Sequence, residues 1–361
     1  MRKALFAVFA AVALSGCHAN PKVVCVPPQP AACPLPLCQP ADPSRPAPDL
    51  RNLVLEGGGV KGVAYPGALQ VLEAQGILPK IDKVAGTSAG SIAAALIALG
   101  YSPAELQALM LELDFGQFED GSALGGPARF LRKFGWFKGD YFLEWMQCRV
   151  KEKTGDPDAT FADLHKDPAK FRDLFVLSSD LSRRRSQVFS FDTSPDLPVA
   201  QAVRASMSIP LFFEGFPIDA KLFGETGQQQ DLFVDGGVFD NYPIELFDGK
   251  GINPQTLGLF LSNLEAPVNP DVRIDSFPEY ARNLFEALLN VQVNAFNNNP
   301  DDQKRTIVID NLGVRTTDFG LSQELKCKLI QQGVIAACKH FGGQAGSPGG
   351  APVGPPVEPG G

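Results

Sequence analysis

Two strand, glycine-turn, helix units in the N-terminal half constrain this chain more than any other feature. In the first, Asn52-Leu53-Val54-Leu55-Glu56 reads as an apolar strand and Gly57-Gly58-Gly59-Val60-Lys61-Gly62 as a turn. A helix follows to Gln75, with Pro66 in its first turns and Gly76 as its stop. In the second, the strand Lys83-Val84-Ala85 leads into Gly86-Thr87-Ser88-Ala89-Gly90, and an apolar helix runs from about Ser91 to Leu99 before Gly100. Glycines two before and two after Ser88 allow a sharp reversal that lifts the hydroxyl above the sheet at a helix N-terminus. Free amides and the helix dipole there favour developing negative charge. Ser88 is thus a candidate nucleophile, although the pentapeptide alone equally fits a tight turn in which the serine caps the helix.

Both turns follow strands expected to be neighbours in a parallel sheet, so both open on the edge where ligands of open α/β sheets bind. The first loop also spells G-x-G-x-x-G through Gly57, Gly59 and Gly62, with Asp82 twenty residues on. A dinucleotide site needs that acidic residue at the end of a strand, whereas Asp82 precedes Val84-Ala85, which disfavours it. The alternative is one site in which the amides of Gly57, Gly58 and Gly59 form an oxyanion hole for an ester attacked by Ser88. Lys61 and Gly62 then support the loop, and Gly86 and Gly90 shape the nucleophile turn.

A serine hydroxyl needs a base. The three histidines are His18, His165 and His340, and none follows a strand as a triad histidine would; His165, in Asp163-Leu164-His165-Lys166-Asp167, is the only contender. A carboxylate at a strand end is the other option, and Asp231-Leu232-Phe233-Val234-Asp235-Gly236-Gly237-Val238 supplies Asp235. Shielding from water would raise its proton affinity enough to serve as a base, while on its own Asp-Gly is a common turn.

The conjunction Gly57 to Gly62, Gly86 to Gly90, Asp235 to Gly237, in this order, resembles the patatin-like phospholipases. Ser179-Asp180-Leu181, Val188-Phe189-Ser190, Arg204-Ala205-Ser206-Met207-Ser208-Ile209-Pro210 with Phe213, and Asn241-Tyr242-Pro243-Ile244 are similar to that family's later blocks. The resemblance implies an α/β fold, with a mixed, mainly parallel central sheet flanked by helices on both sides. It implies a Ser88-Asp235 dyad acting on acyl esters of lipids through an acyl-enzyme, with no cofactor and no metal. Phospholipids or lysophospholipids are the expected substrates. A general esterase or triacylglycerol lipase would use the same dyad, and a non-catalytic envelope lipoprotein keeping the fold would be betrayed by a damaged motif. None of the three motifs is damaged.

The ends differ from the body. Met1-Arg2-Lys3 followed by the apolar run Ala4 to Leu14 reads as a signal peptide over 1–16, too short for a permanent span. Leu14-Ser15-Gly16-Cys17 resembles the lipobox of bacterial lipoproteins, which implies a lipidated Cys17, an envelope location and, from His18, the outer membrane. A plain signal cleaved near Gly16 is the alternative. Residues 17–50 are expected to be a Pro-rich tether, 51–341 the catalytic domain and 342–361 a disordered Gly/Pro-rich tail. The formal charge of −8 argues against nucleic acid and against electrostatic adsorption to anionic lipid. Beyond Cys17, six cysteines permit disulfides in an exported chain; Cys327 and Cys338, about 16 Å apart along one helix, cannot pair with each other. No Cys-x-x-Cys or histidine cluster suggests a metal.

Residues 101–175 gather Phe115, Phe118, Phe130, Phe134, Trp136, Phe137, Tyr141, Phe142 and Trp145. Most are expected in the core, a minority in an acyl pocket or a membrane-contacting lid. Further on, Thr256 to Ser262 and Arg305 to Asp310 read as strands, and Ser276 to Phe296 and Ser322 to Phe341 as helices.

Overall fold

The computed structural model describes residues 23, 25, 27, 33–39, 46–121, 126–226, 229–262 and 273–346. The expected signal segment, Cys17 and the tail from 347 lie outside the described residues. In chain order the strands are β1 (Cys38–Gln39), β2 (Asn52–Leu55), β3 (Lys83–Thr87), β4 (Gly135–Phe137), β5 (Asp173–Asp180) and β6 (Arg185–Phe189). They continue as β7 (Leu211–Phe213), β8 (Phe216–Asp219), β9 (Gln230–Asp235), β10 (Thr256–Ser262), β11 (Thr306–Asp310) and β12 (Gln344–Ala345). The helices are α1 (Tyr65–Ala74), α2 (Ala89–Ala98), α3 (Pro103–Glu112), α4 (Gly126–Lys133) and α5 (Asp140–Thr154). After them come α6 (Phe161–His165), α7 (Val199–Ser206), α8 (Phe277–Asn297), α9 (Pro300–Lys304) and α10 (Gln323–His340).

The central sheet runs β11-β10-β2-β3-β5-β9-β8, with β6 also paired to β5. Pairs from β11 to β5 are parallel, while β6, β8 and β9 are antiparallel additions, giving the mixed α/β architecture expected. Because successive strand residues point to opposite faces, Leu53, Leu55 and Val84 join the main core, whereas Val54 and Ala85 meet Ile244 on the other face. Phe296 of α8 stacks on Phe260 over the segment carrying Tyr242, so helix covers the second face too. Both strand-turn-helix units form as read, except that a 3-10 turn, Gly59–Ala64, precedes α1.

Strand β5 is the element that positions the site. It matches β3 only up to Thr87↔Leu177 and then continues through Ser178, Ser179 and Asp180. Strand β9 pairs with that overhang in the opposite sense and stops at Asp235↔Ser178. An antiparallel strand would otherwise end at the far edge of the sheet. Stopping here brings Asp235 level with the residue that follows Thr87.

The ends depart from expectation. Cys33 is buried, β1 pairs antiparallel with β12, and three disulfides join Cys25 to Cys148, Cys33 to Cys327 and Cys38 to Cys338. Residues 33–39 therefore lie on the domain rather than standing off it as an open tether, and 344–346 belong to the fold rather than to a tail. Cys33 and Pro36 are buried and Leu35 packs on the core, and the covalent links add to that burial. Cys327 and Cys338, both on α10, pair elsewhere, in keeping with their separation along one helix.

The Cys38–Cys338 link closes 300 residues of sequence. Cys38→Ser/Cys338→Ser should lose on the order of 2–4 kcal/mol of stability. Thermal unfolding of variant and parent checks this, and an unchanged Tm would show that the link carries none.

Candidate active site

Ser88 sits between β3 and α2 with φ +50 and ψ −122, a conformation that costs energy in any residue with a Cβ. Its surroundings hold it there. The Ser88 amide donates to Ser206 Oγ at 2.9 Å, and that hydroxyl donates to Leu177 O of β5. On the other side, Ser91 Oγ and the Ser91 and Ile92 amides donate to Ser88 O. The flanking glycines are required by contact rather than by torsion: a Cβ on Gly86 would lie 2.3 Å from the carbonyl of Gly90, and one on Gly90 2.3 Å from Leu55 O. The turn and the end of β2 touch through bare backbone.

Ser88 Oγ donates to Asp235 Oδ2 at 2.6 Å. The other carboxylate oxygen, Oδ1, accepts the Gly237 amide at 2.8 Å, and the Asp235 amide donates to Ser208 O at 2.8 Å. Asp235 is fully buried and Ser88 nearly so. Burial pushes the Asp235 carboxyl up to about 7, against the opposing pull of the Ser88 hydroxyl and Gly237 amide. The Asp-Gly-Gly sequence is explained by the path of the chain: a Cβ on Gly236 would lie 2.5 Å from Leu177 O and 2.7 Å from Thr87 Cγ2.

The glycine loop lies beside this pair. A Cβ on Gly57 would come within 3.1 Å of Ser88 Cβ. Gly59 has φ +55, and a Cβ there would lie 2.0 Å from Thr316 O. One part of the expected oxyanion hole needs correction: the Gly57 amide donates to Asn241 O at 2.9 Å and is not free to meet an oxyanion. Among the described residues no acceptor faces the amides of Gly58 and Gly59, so two of the three expected donors remain. The Lys61 amide donates to Gly58 O at 3.2 Å within the loop, and Gly62 packs on Ala89 of the second turn.

Sequence reasoning missed the clamp that joins the two halves. Asn241 Nδ2 donates to Gly57 O and to Glu56 Oε1, both at 3.0 Å, while the Asn241 amide donates to Gln292 Oε1 at 2.6 Å. Gln292, on α8, donates from Nε2 to Gly237 O at 2.7 Å. Through these two side chains the glycine loop and the Asp235 turn are one hydrogen-bonded unit. Glu56 also accepts the Leu261 amide at 2.6 Å, and burial pushes its carboxyl up to about 8, with the Lys61 charge the largest opposing pull. Arg204 was likewise overlooked. Its buried guanidinium donates to Gly139 O at 2.9 Å, to Lys138 O and to Ser208 Oγ, fixing the segment whose carbonyl receives the Asp235 amide. Asn241 and Arg204 stand within quoted sequence blocks, but Gln292 had no local signal.

The rival placements fail on topology. His165 Nδ1 meets Asp173 Oδ1 at 2.7 Å and its ring stacks on Phe191. Asp173 pairs with Lys83 at the start of β3, four residues, about 13 Å, from the Thr87 end. Asp82 lies at that same far edge, 3.5 Å from Arg51, away from the glycine loop that a dinucleotide would occupy. Of the aromatic cluster, Phe115, Phe118, Phe142 and Trp145 are core, whereas Phe134 is exposed. No group of three metal-ligating side chains occurs among the described residues.

A strained serine over the parallel part of the sheet, a buried carboxylate on its hydroxyl and unbonded glycine amides beside both are thus gathered at one edge of an α/β fold. Residues 53–248 match the family described as patatin-like phospholipase, and the chain belongs to that family. It is 35% identical over 294 residues to the uncharacterized protein YqhO of Bacillus subtilis (strain 168), spanning 78% of this chain and 94% of that one. The probable lipid hydrolase 463L of Invertebrate iridescent virus 6 is 26% identical over 197 residues, 54% of this chain and 62% of its own. The crystal structure of VipD from Legionella pneumophila superposes with a TM-score of 0.55 at 17% identity, over 87% of this chain and 72% of that one, a likeness of fold.

The raised Asp235 carboxyl has a consequence for stability. Its folded value of about 7 lies above the ordinary 3.8, so the native state holds a proton that the unfolded chain releases between these values. That stabilisation is complete below about pH 4 and is lost as pH rises through 7. Asp235→Asn should therefore raise Tm at pH 8, with the gain shrinking toward pH 4; a gain independent of pH would sink the assignment. Asn241→Ala, which leaves Glu56 and Gly57 O short of a donor, should cost roughly 1–3 kcal/mol in denaturant unfolding.

Proposed function

We propose that this protein hydrolyses the carboxylic esters of phospholipids or lysophospholipids, with Ser88 as nucleophile and Asp235 as the base that activates it. The observation that carries the reading is the 2.6 Å contact of Ser88 Oγ with a buried carboxylate pushed up to about 7. A base is most effective when its proton affinity matches the working pH, and a solvent-exposed aspartate would be far too weak. As Ser88 Oγ attacks the ester carbonyl, Asp235 takes the hydroxyl proton and the amides of Gly58 and Gly59 receive the oxyanion. Asp235 then returns the proton to the departing alcohol, leaving the acyl chain on Ser88. Water, deprotonated by the same carboxylate, cleaves the acyl-enzyme and restores the hydroxyl.

We further propose that residues 1–16 are a cleaved signal, that Cys17 is lipidated, and that the chain resides in the bacterial envelope, at the outer membrane. Three cysteine pairs joining the N-terminal segment to the domain support an exported, oxidising location.

Labelling with a serine-reactive fluorophosphonate should modify Ser88, and Ser88→Ala should abolish both labelling and release of fatty acid. Asp235→Ala should reduce turnover by orders of magnitude while the chain stays folded. In the parent, turnover should rise with pH through about 7 and then level as the carboxylate becomes fully ionised. A rate that falls over that interval, or labelling at another serine, would refute the dyad.

A further inference from the structure

One part of the aromatic cluster is left outside the core. At the end of α4, Leu131 is 77% exposed and Phe134 is 62% exposed, the two most solvent-exposed large aliphatic and aromatic side chains of this region. Arg132 and Lys133, between them, are exposed as well. Phe134 has φ +61, which a bulky residue adopts only when its surroundings impose it. They do so here. The Phe134 amide donates to Phe130 O at 3.2 Å, and Arg129 donates from Nε and a terminal nitrogen to Trp136 O at 3.2 and 3.0 Å. Strand β4 then lies against β7, with the Glu214 amide donating to Phe137 O at 2.8 Å. The fold thus holds an apolar tip outward on a braced turn rather than folding it in.

Two observations indicate what the tip meets. Its apolar pair brackets Arg132 and Lys133 although the chain as a whole carries −8; Lys133 lies 3.9 Å from Glu214, and the exposed Arg132 suits a phosphate-bearing headgroup over an apolar layer. The second is the Cys25–Cys148 link to α5, the helix that starts six residues after Phe134. Cys148 is eight residues into α5, about 12 Å from its start. From Cys25 back to Cys17 there are eight residues, at most about 28 Å of chain. An acyl anchor on Cys17 would therefore lie within about 28 Å of Cys25 and its link to α5, not at the end of a long tether.

We propose that the tip formed by Leu131 and Phe134 inserts into a phospholipid surface, presenting the active site to the lipid it draws on. Arg204 connects the two, since it bonds Lys138 O and Gly139 O just beyond β4 and also Ser208 Oγ beneath Asp235. The proposal rests on the lipid-ester reading for its purpose and on the Cys17 anchor for its orientation.

The test is a Phe134→Trp probe in the full chain, in a Ser88→Ala background so that no lipid is consumed. It is mixed with vesicles of phosphatidylcholine containing a minority of phosphatidylglycerol. Insertion predicts a blue-shifted emission, quenched by brominated acyl chains beyond the level of the same chain without the Phe134→Trp substitution. Where Cys17 is not acylated, adding Leu131→Ser should weaken vesicle capture on the order of tenfold. Where it is acylated, capture persists in every variant and quenching alone reads the tip. Emission unaltered in vesicle-bound protein would overturn the proposal. So would a lipid-free dimer abolished by Leu131→Ser, which would assign the tip to a second copy of the chain. None of these readouts needs ester hydrolysis, so failure of the hydrolase reading is separately visible.

Discussion

The hydrogen bond from Ser88 to Asp235 is the constraint around which this molecule is arranged. It requires a carboxylate out of water, which is costly, and it requires two residues 147 positions apart to arrive at the same level of the sheet. The second demand is met by strand lengths. β5 outruns β3 by three residues, and the antiparallel β9 uses that overhang to stop beside the Ser88 turn. Shortening the overhang or extending β9 would carry Asp235 away from the serine without altering any residue of the site.

Around that bond, side chains are removed wherever backbones must touch. Gly86, Gly90 and Gly236 each lie where a Cβ would press on a carbonyl of a neighbouring strand or turn. The cost is conformational, since glycine loses the most freedom on folding. It is offset by polar links that leave each turn one geometry: Ser206 under Ser88, Ser208 O under Asp235, and the Asn241–Gln292 pair between the two loops. Gln292 comes from α8, so a helix remote in sequence determines how the glycine loop stands against Asp235.

These features differ in how plainly the sequence displayed them. Glycine spacing around Ser88 and in the Gly57 loop is local, because a sharp reversal or a close backbone approach leaves its mark within five residues. Asp235 was legible only in conjunction with both turns, since an Asp-Gly pair alone denotes any turn. What escaped was long-range. That the Gly57 amide is taken by Asn241 O, that Glu56 is buried beneath the loop, and that Gln292 bridges to Gly237 all depend on contacts between residues 51 to 185 positions apart. The antiparallel sense of β9 was equally hidden, because an apolar run carries no direction.

The N-terminal segment shows the same limit from another side. Its ten prolines and scarcity of large apolar side chains describe a chain that cannot fold by burial, and by that criterion an open tether was the correct expectation. Cross-links do not obey that criterion. Three disulfides hold the segment to α5 and α10 by limiting the unfolded ensemble, in addition to the surface that Cys33, Leu35 and Pro36 remove from water. The distance that matters for any attachment at Cys17 is then the eight residues before Cys25, not the 35 before the first strand of the central sheet, β2. A proline-rich stretch that reads as a spacer becomes, once stapled, a segment tied at Cys25 to α5, which shortens the reach of any group attached before it.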